Sequence, residues 1–181
     1  QESACRAAIR QATEALGSVD ILVNNAGICP FHSIAQITGD EWDRVLAVNL
    51  KGAFVLSQAV LPDMMARRWG RIVNVSSMAG KVGGLAVGAH YSASKAALIC
   101  LTKSLARTGA GHGVTANAVA PAFIATPLFS EDELRERAPQ IPVGRPGQPE
   151  EVADAVAFLA SARAAYITGA TLDLNGGLLM D

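Results

Sequence analysis

The alternation of short apolar runs with helically spaced segments constrains this chain most. Asp20–Val23, Arg71–Ser76, Val114–Val119 and Ala170–Leu174 are apolar runs of four to six residues, too short for core helices. Between them lie longer segments whose apolar residues recur at three- and four-residue steps. Residues 2–16 carry Ile9 and Leu16 at helical spacing and stop at Gly17. Residues 40–66 place Trp42, Val45, Leu46, Leu50, Phe54 and Leu61 on such steps, with Asp40 as the expected N-cap. Pro62 is expected to kink that helix or limit its last turn. Further helices are read from Tyr91 to Arg107, near Glu131–Arg137, and over 149–162, where Pro149 opens the first turn. Short buried strands alternating with helices make a parallel sheet covered on both faces. The segment from about 120 to 148 is long and proline-rich, and is read as a lid over one domain spanning 1–181.

In open parallel sheets, ligands sit at the carboxyl ends of the strands. Asn24–Gly27, Ser76–Ser77 and Pro121–Thr126 each follow a strand, so they are expected to converge on one crevice bordered by the start of the Tyr91 helix. Tyr91 and Lys95 are four apart and share a helix face. A phenol ordinarily titrates near pH ~10, and a neighbouring ammonium favours the phenolate. Lys95 is thus expected to lower the Tyr91 pKa and make it a general acid or base, with Ser77 holding a carbonyl or alcohol oxygen beside it. The plain alternatives are a surface Tyr–Lys pair and a Ser-Ser turn. Asn24-Asn25 reads equally as turn formers, and Asn49 as a satisfied buried amide.

Composition narrows the classes. Half of the 181 residues are hydrophobic, 17% are charged, and the net charge is -1. This gives no broad attraction for nucleic acid or an anionic membrane. Cys5, Cys29 and Cys100 are odd in number and lack CxxC spacing, which argues against a disulfide framework or a zinc site and fits a reducing cytoplasm. No apolar run comes near the roughly 18 residues that span a bilayer.

Asn24-Asn25-Ala26-Gly27, Asn49-Leu50, Ser76-Ser77, Tyr91-x-x-x-Lys95 and Asn175-Gly176-Gly177 occur in one order along the chain. With this set the chain resembles the short-chain dehydrogenase/reductases along essentially its whole length. The 3-oxoacyl-carrier-protein reductase branch and its sugar and polyol dehydrogenase relatives look nearest, above all from Tyr166 to Gly177. The resemblance implies a Rossmann-like, doubly wound parallel α/β sheet, N-terminally truncated, with about four of seven strands present. It implies NAD or NADP as cofactor and hydride exchange between a carbonyl and a secondary alcohol. Tyr91 would pass the proton, Lys95 would hold the nicotinamide ribose, Ser77 would polarise the substrate oxygen, and Asn49 would hold a relay water. Asn25, Ala26 and Gly27 would run along the cofactor; the Ile124 backbone and Thr126 hydroxyl would fix the carboxamide. Homodimers or homotetramers through the helices 40–66 and 91–107 are implied as well.

Two departures stand out. No Gly-rich TGxxxGxG turn precedes Asn24, so residues that cradle a pyrophosphate and choose NAD or NADP are not in this chain. The strand Asp20–Val23 is then expected to expose an apolar edge. Pro121-Ala122 stands where the family has Pro-Gly, which would strain Ala122 if that site needs a positive φ. Acyl-carrier partners of the resembling reductases dock on basic residues beside the site mouth. Arg68 falls at one such position and His112 at the other, where arginine is expected. A small-molecule or acyl-thioester substrate is implied. A non-catalytic oligomerisation module is the alternative from another class. A hydrolase using Ser77 and His90 fails, because Val75-Ser76-Ser77-Met78-Ala79 is no GxSxG elbow and no acid partner for His90 is evident.

Overall fold

The computed structural model describes residues 1–84 and 87–180. Leu85 and Ala86, within the glycine-rich stretch expected beside the substrate, lie outside the described residues. Helix α1 (Glu2–Leu16) ends at Gly17, whose φ of 83° suits a residue without Cβ. Strand β1 (Ile21–Asn24) follows. Helix α2 (Gly39–Leu46) is capped by Thr38, not Asp40: the Thr38 hydroxyl accepts the Glu41 N–H at 3.2 Å. A π turn, Ala47–Lys51, joins it to α3 (Gly52–Ala66), and Pro62 is carried inside α3 without ending it.

Next come β2 (Gly70–Val75), the one-turn α4 (Ala79–Val82) and α5 (Ala89–Gly109). They are followed by β3 (Val114–Pro121), α6 (Glu131–Arg137), α7 (Pro149–Ala160) and β4 (Thr171–Leu174). The α6 bounds coincide with the sequence reading because Ser130 and Glu133 form a capping box.

The four strands form one parallel sheet in the order β1-β2-β3-β4. Val73 pairs Val23 on one side and Asn117 on the other. Side chains alternate across a strand, so β2 feeds two cores. Ile72 joins Leu22, Ala116, Val60, Met64 and Leu105 beneath α3 and α5. Val73 joins Val119 and Leu159 beneath α7. This is the doubly wound α/β arrangement read from the sequence. Strand β1 is an edge, and its Ile21 and Val23 are 46% and 42% exposed, as the edge argument expects.

A further expectation fails. The helical stretch Gly39–Ala66 runs 28 residues, with a mean hydropathy of 1.5 over its most apolar window, long and apolar enough to cross a bilayer by length and composition. Counting unbroken apolar runs missed this, because a helix continues through isolated polar residues. Here Val55, Val60 and Met64 of the stretch are buried in the protein's own core.

Candidate active site

The carboxyl ends of β1, β2 and β3 deliver Asn25, Ser77 and Pro121 to the rim of one cavity of about 610 Å³. Gly27, Tyr91, Lys95, Ile124 and Thr126 line it as well. Ala26 is exposed and does not line it. Loop residues Leu128 and Phe129 and the α7 residues Val152 and Val156 supply apolar walls, and sequence reasoning named none of the four.

Tyr91 and Lys95 lie one turn apart on α5. Lys95 is 4% exposed, and its Nζ donates to the Val75 carbonyl at 2.7 Å. Burial pushes its pKa down to about 8. Nζ lies 5.6 Å from the Tyr91 ring centroid, over the ring. This overturns the expected depression of the phenol. Burial, and then Cys29, push Tyr91 up to about 12, while a hydrogen bond with Ser77 pulls the other way. Desolvation dominates because the Lys95 donor points at Val75. Cys29 is itself pushed up to about 11 by burial. Its thiol is therefore neutral at pH 7 and supplies no charge to either neighbour.

Ser77 Oγ accepts the Ala79 N–H at 3.1 Å, while its own donation to Pro121 O is long, at 3.5 Å. Its proton is thus shared between the Tyr91 oxygen and any oxygen that binds beside it. Asn49 sits in the π turn behind Gly27 and does not line the cavity. Its Nδ2 donates to Ile28 O at 3.0 Å and Ser94 Oγ at 3.0 Å, and its Oδ1 accepts the Ile28 N–H at 2.8 Å. A Cβ on Gly27 would meet Asn49 Oδ1 at 3.4 Å and Lys95 Nζ at 3.5 Å, ordinary van der Waals contact, so the backbone here lies close to both side chains. Ala122 has no positive φ, since Arg68 is the only non-glycine that does among the described residues, and the expected strain is absent. Ile124 forms an isolated parallel bridge with Gly147 and is held at the rim.

Asn24 does not face the cavity. Its Nδ2 donates to Ser57 Oγ at 3.1 Å and Asn74 Oδ1 at 2.8 Å, and Asn74 Nδ2 donates to Thr102 Oγ1 at 2.8 Å. This buried network pins β1, β2, α3 and α5 together just beneath the site. No sequence signal marks it, because Asn74 reads as part of an apolar strand.

His90 does have an acid partner, contrary to the sequence reading. Its Nε2 lies 2.7 Å from Glu41, and its other nitrogen bonds the Tyr91 amide, not Ser77. Arg68 and His112 stand at the amino ends of β2 and β3, while Ser77 is past the carboxyl end of β2. The six-residue strand puts roughly 20 Å between Arg68 and the cavity. Arg68 is therefore not beside the mouth of its own chain's site. Of its basic neighbours, Arg67 pairs Asp20 and Asp63. Arg71 is buried against backbone carbonyls and the Trp69 ring.

A family profile described as enoyl-(acyl carrier protein) reductase matches residues 1–179. The chain is 48% identical to a 3-oxoacyl-[acyl-carrier-protein] reductase of Vibrio cholerae over 177 residues, 96% of this chain and 72% of the relative. It is 48% identical to one of Salmonella typhimurium over 167 residues, 91% of this chain and 68% of the relative. It is 46% identical to one of Staphylococcus aureus over 178 residues, 97% and 72% respectively. The chain belongs to the short-chain dehydrogenase/reductase family. It is an oxidoreductase acting on a CH–OH group.

Proposed function

We propose that this chain reduces the 3-oxo group of an acyl thioester, or oxidises the corresponding alcohol, with NAD(H) or NADP(H) and with Tyr91 passing the proton. One observation carries the reading: Ser77, Tyr91 and Lys95 meet in a cavity at the strand carboxyl ends. The acyl thioester is favoured by the names of the relatives above. The nicotinamide ring and its ribose fit the residues present. Gly27 lines the cavity with backbone alone, and Asn25, Lys95 and Thr126 offer amide, ammonium and hydroxyl groups along it. When bound, the dinucleotide supplies the hydride.

The chain's own residues do the rest. Ser77 Oγ–H donates to the carbonyl oxygen and holds it against Tyr91. With its pKa near 12 the phenol is fully protonated at pH 7, and it hands its proton to that oxygen as charge develops there. Lys95, with a pKa near 8, is mostly charged at pH 7 and stabilises the phenolate left behind. Asn49 fixes the Ile28 backbone and Ser94 of α5, which holds the two sides of the cavity in register. Ile124 and Thr126 fix the carboxamide, and the segment 120–148 acts as a lid that excludes water.

We assign self-association to the exposed apolar groove formed by Leu46, Leu50, Phe54 and Leu101 on α2, the π turn, α3 and α5. An acyl carrier docked at Arg68 then serves the cavity of a neighbouring copy. The free cysteines suit a reducing cytoplasm.

The test is turnover of a short 3-oxoacyl thioester with NADPH or NADH, run beside Tyr91→Phe. The variant should lose 10²- to 10⁴-fold in kcat with nicotinamide binding nearly unchanged. Undiminished turnover in Tyr91→Phe rejects the proton-transfer assignment. Turnover of sugars or polyols but not thioesters moves the substrate to the other branch.

A further inference from the structure

His90 lies immediately before the proton donor, 0% exposed, and the mechanism above does not use it. Its Nδ1 accepts the Tyr91 backbone N–H at 2.9 Å. A backbone amide can only donate, so this nitrogen carries the lone pair and the ring proton is on Nε2. Nε2–H then donates to Glu41 Oε1 at 2.7 Å. The same carboxylate receives His32 Nδ1 at 2.8 and 2.9 Å. These two histidine contacts, His90 first, hold the Glu41 carboxyl below its usual range.

The arrangement answers a need that the sequence creates. The α5 N-cap is Gly88, which has no side chain to cap the first-turn amides. Tyr91 is the third residue of that helix, and its amide is one of those orphans. His90 supplies the missing acceptor from within the turn. Gly88 in turn makes room: a Cβ there would sit 2.3 Å from His90 Cε1. Glu41 is itself anchored, because its amide is capped by Thr38. His32 ties in the loop after β1, and the Gly88 amide reaches the Pro30 carbonyl of that loop at 3.4 Å. One carboxylate thus locks the start of α2, the loop that carries Cys29, and the turn that carries Tyr91.

We propose that His90 and Glu41 are positioning residues for Tyr91, fixing where its phenol stands relative to Ser77. The pair acts through the Tyr91 backbone and touches neither substrate nor cofactor. A misplacement of about 1 Å at a reacting group can cost about 10²-fold in rate. His90→Leu should therefore lower kcat by 10- to 100-fold with the nicotinamide Kd unchanged, since Lys95 keeps its bond to Val75. His90→Gln, which can accept at one end and donate at the other, should recover most of that loss. His90→Leu combined with Glu41→Leu should be no slower than His90→Leu alone, because both break one chain of contacts.

A readout without substrate comes from amide hydrogen exchange in the free protein. The Tyr91 amide should exchange at least 10-fold faster in His90→Leu, with the amides of Leu98–Leu105 unchanged. If His90→Leu does not fold, Glu41→Gln serves: it should slow kcat several-fold and weaken Tyr91 amide protection. Wild-type kcat and wild-type Tyr91 exchange in whichever of these variants folds overturn the proposal, as does a failure of His90→Gln to restore kcat. The proposal rests on Tyr91 as proton donor. Full turnover by Tyr91→Phe would sink that reading, while the exchange result would stand or fall with His90 alone.

Discussion

Replacing Lys95 by Met should make the free protein more stable while abolishing turnover. Lys95 is 4% exposed, no carboxylate among the described residues shifts its pKa, and its neighbour Cys29 is neutral at pH 7. Burial lowers its pKa from 10.5 to about 8. At about 1.4 kcal/mol per unit, the charged form costs the fold about 3 kcal/mol. Removing the ammonium also removes its hydrogen bond to the Val75 carbonyl, worth about 1 kcal/mol. The methionine refills the volume with an apolar chain. The net gain is about 2 kcal/mol at pH 7, or roughly 4–8 °C in Tm for a chain of this size.

The pH dependence carries the signature. Between pH 8 and 10.5 the unfolded chain holds a proton on this lysine that the folded chain has lost. Wild-type stability therefore rises with pH across that window. The advantage of Lys95→Met is complete below pH 8, shrinks above it, and is reversed by about 1 kcal/mol at pH 10.5, where only the lost hydrogen bond remains. Urea unfolding of both proteins at pH 7, 9 and 10.5 measures it, with equal m-values as the control. A variant less stable than wild type at pH 7, or an advantage that does not shrink as pH rises, would refute the idea that desolvation of Lys95 is the dominant cost.

Gly80→Ala places a Cβ 2.7 Å from the backbone of Lys95 and Ala96, so α4 and α5 must part; thermal unfolding should show a loss of about 1–3 kcal/mol, and kcat should fall with it. Wild-type values for both would mean the two helices separate at no cost. Asn74→Leu removes one hydrogen bond each from Asn24 Nδ2 and Thr102 Oγ1, which keep Ser57 and the Leu98 carbonyl as partners, and should cost about 1–3 kcal/mol, read from urea midpoints. Arg68→Glu should raise KM for an acyl-carrier thioester and leave KM for a short free thioester alone; equal KM values for the carrier substrate in both proteins count against docking there. Phe54→Glu puts a charge in the exposed groove of α3 and should shift the protein toward monomer by sedimentation.

Much of this fold was legible because the signals are local. The residues of β2 and β3 read as strands from their own apolar runs, and the segment near Glu131–Arg137 reads as a helix where α6 stands. The approach of Ser77, Tyr91 and Lys95 was legible too, since strand carboxyl ends in a parallel sheet share one edge. What failed were inferences about environment. Lys95 and Tyr91 stand four apart, as the helix requires, yet the ammonium bonds Val75 and burial raises the phenol. Spacing reports which groups are close, but not where a donor points or how much water remains. The Asn24–Asn74–Thr102 chain and the Glu41–His90 contact were invisible for a related reason. Each joins residues at least 28 positions apart, and no periodicity marks such a pair.

The two buried polar clusters differ in what they do for the site. The asparagine network beneath the strand ends is nearly satisfied, with Asn24 Oδ1 as its orphan, and it fixes the sheet edge on which the cavity rests. Lys95 is the opposite case, a buried cation held by one carbonyl. Its cost is offset if a negative charge arises nearby during turnover, and the Tyr91 phenolate, with the Lys95 ammonium over its ring, can supply one. On this argument the free protein carries strain that the reacting state relieves, and the stabilisation of Lys95→Met and its loss of activity have a single cause. A variant that gains stability yet retains turnover would separate the two and remove that link.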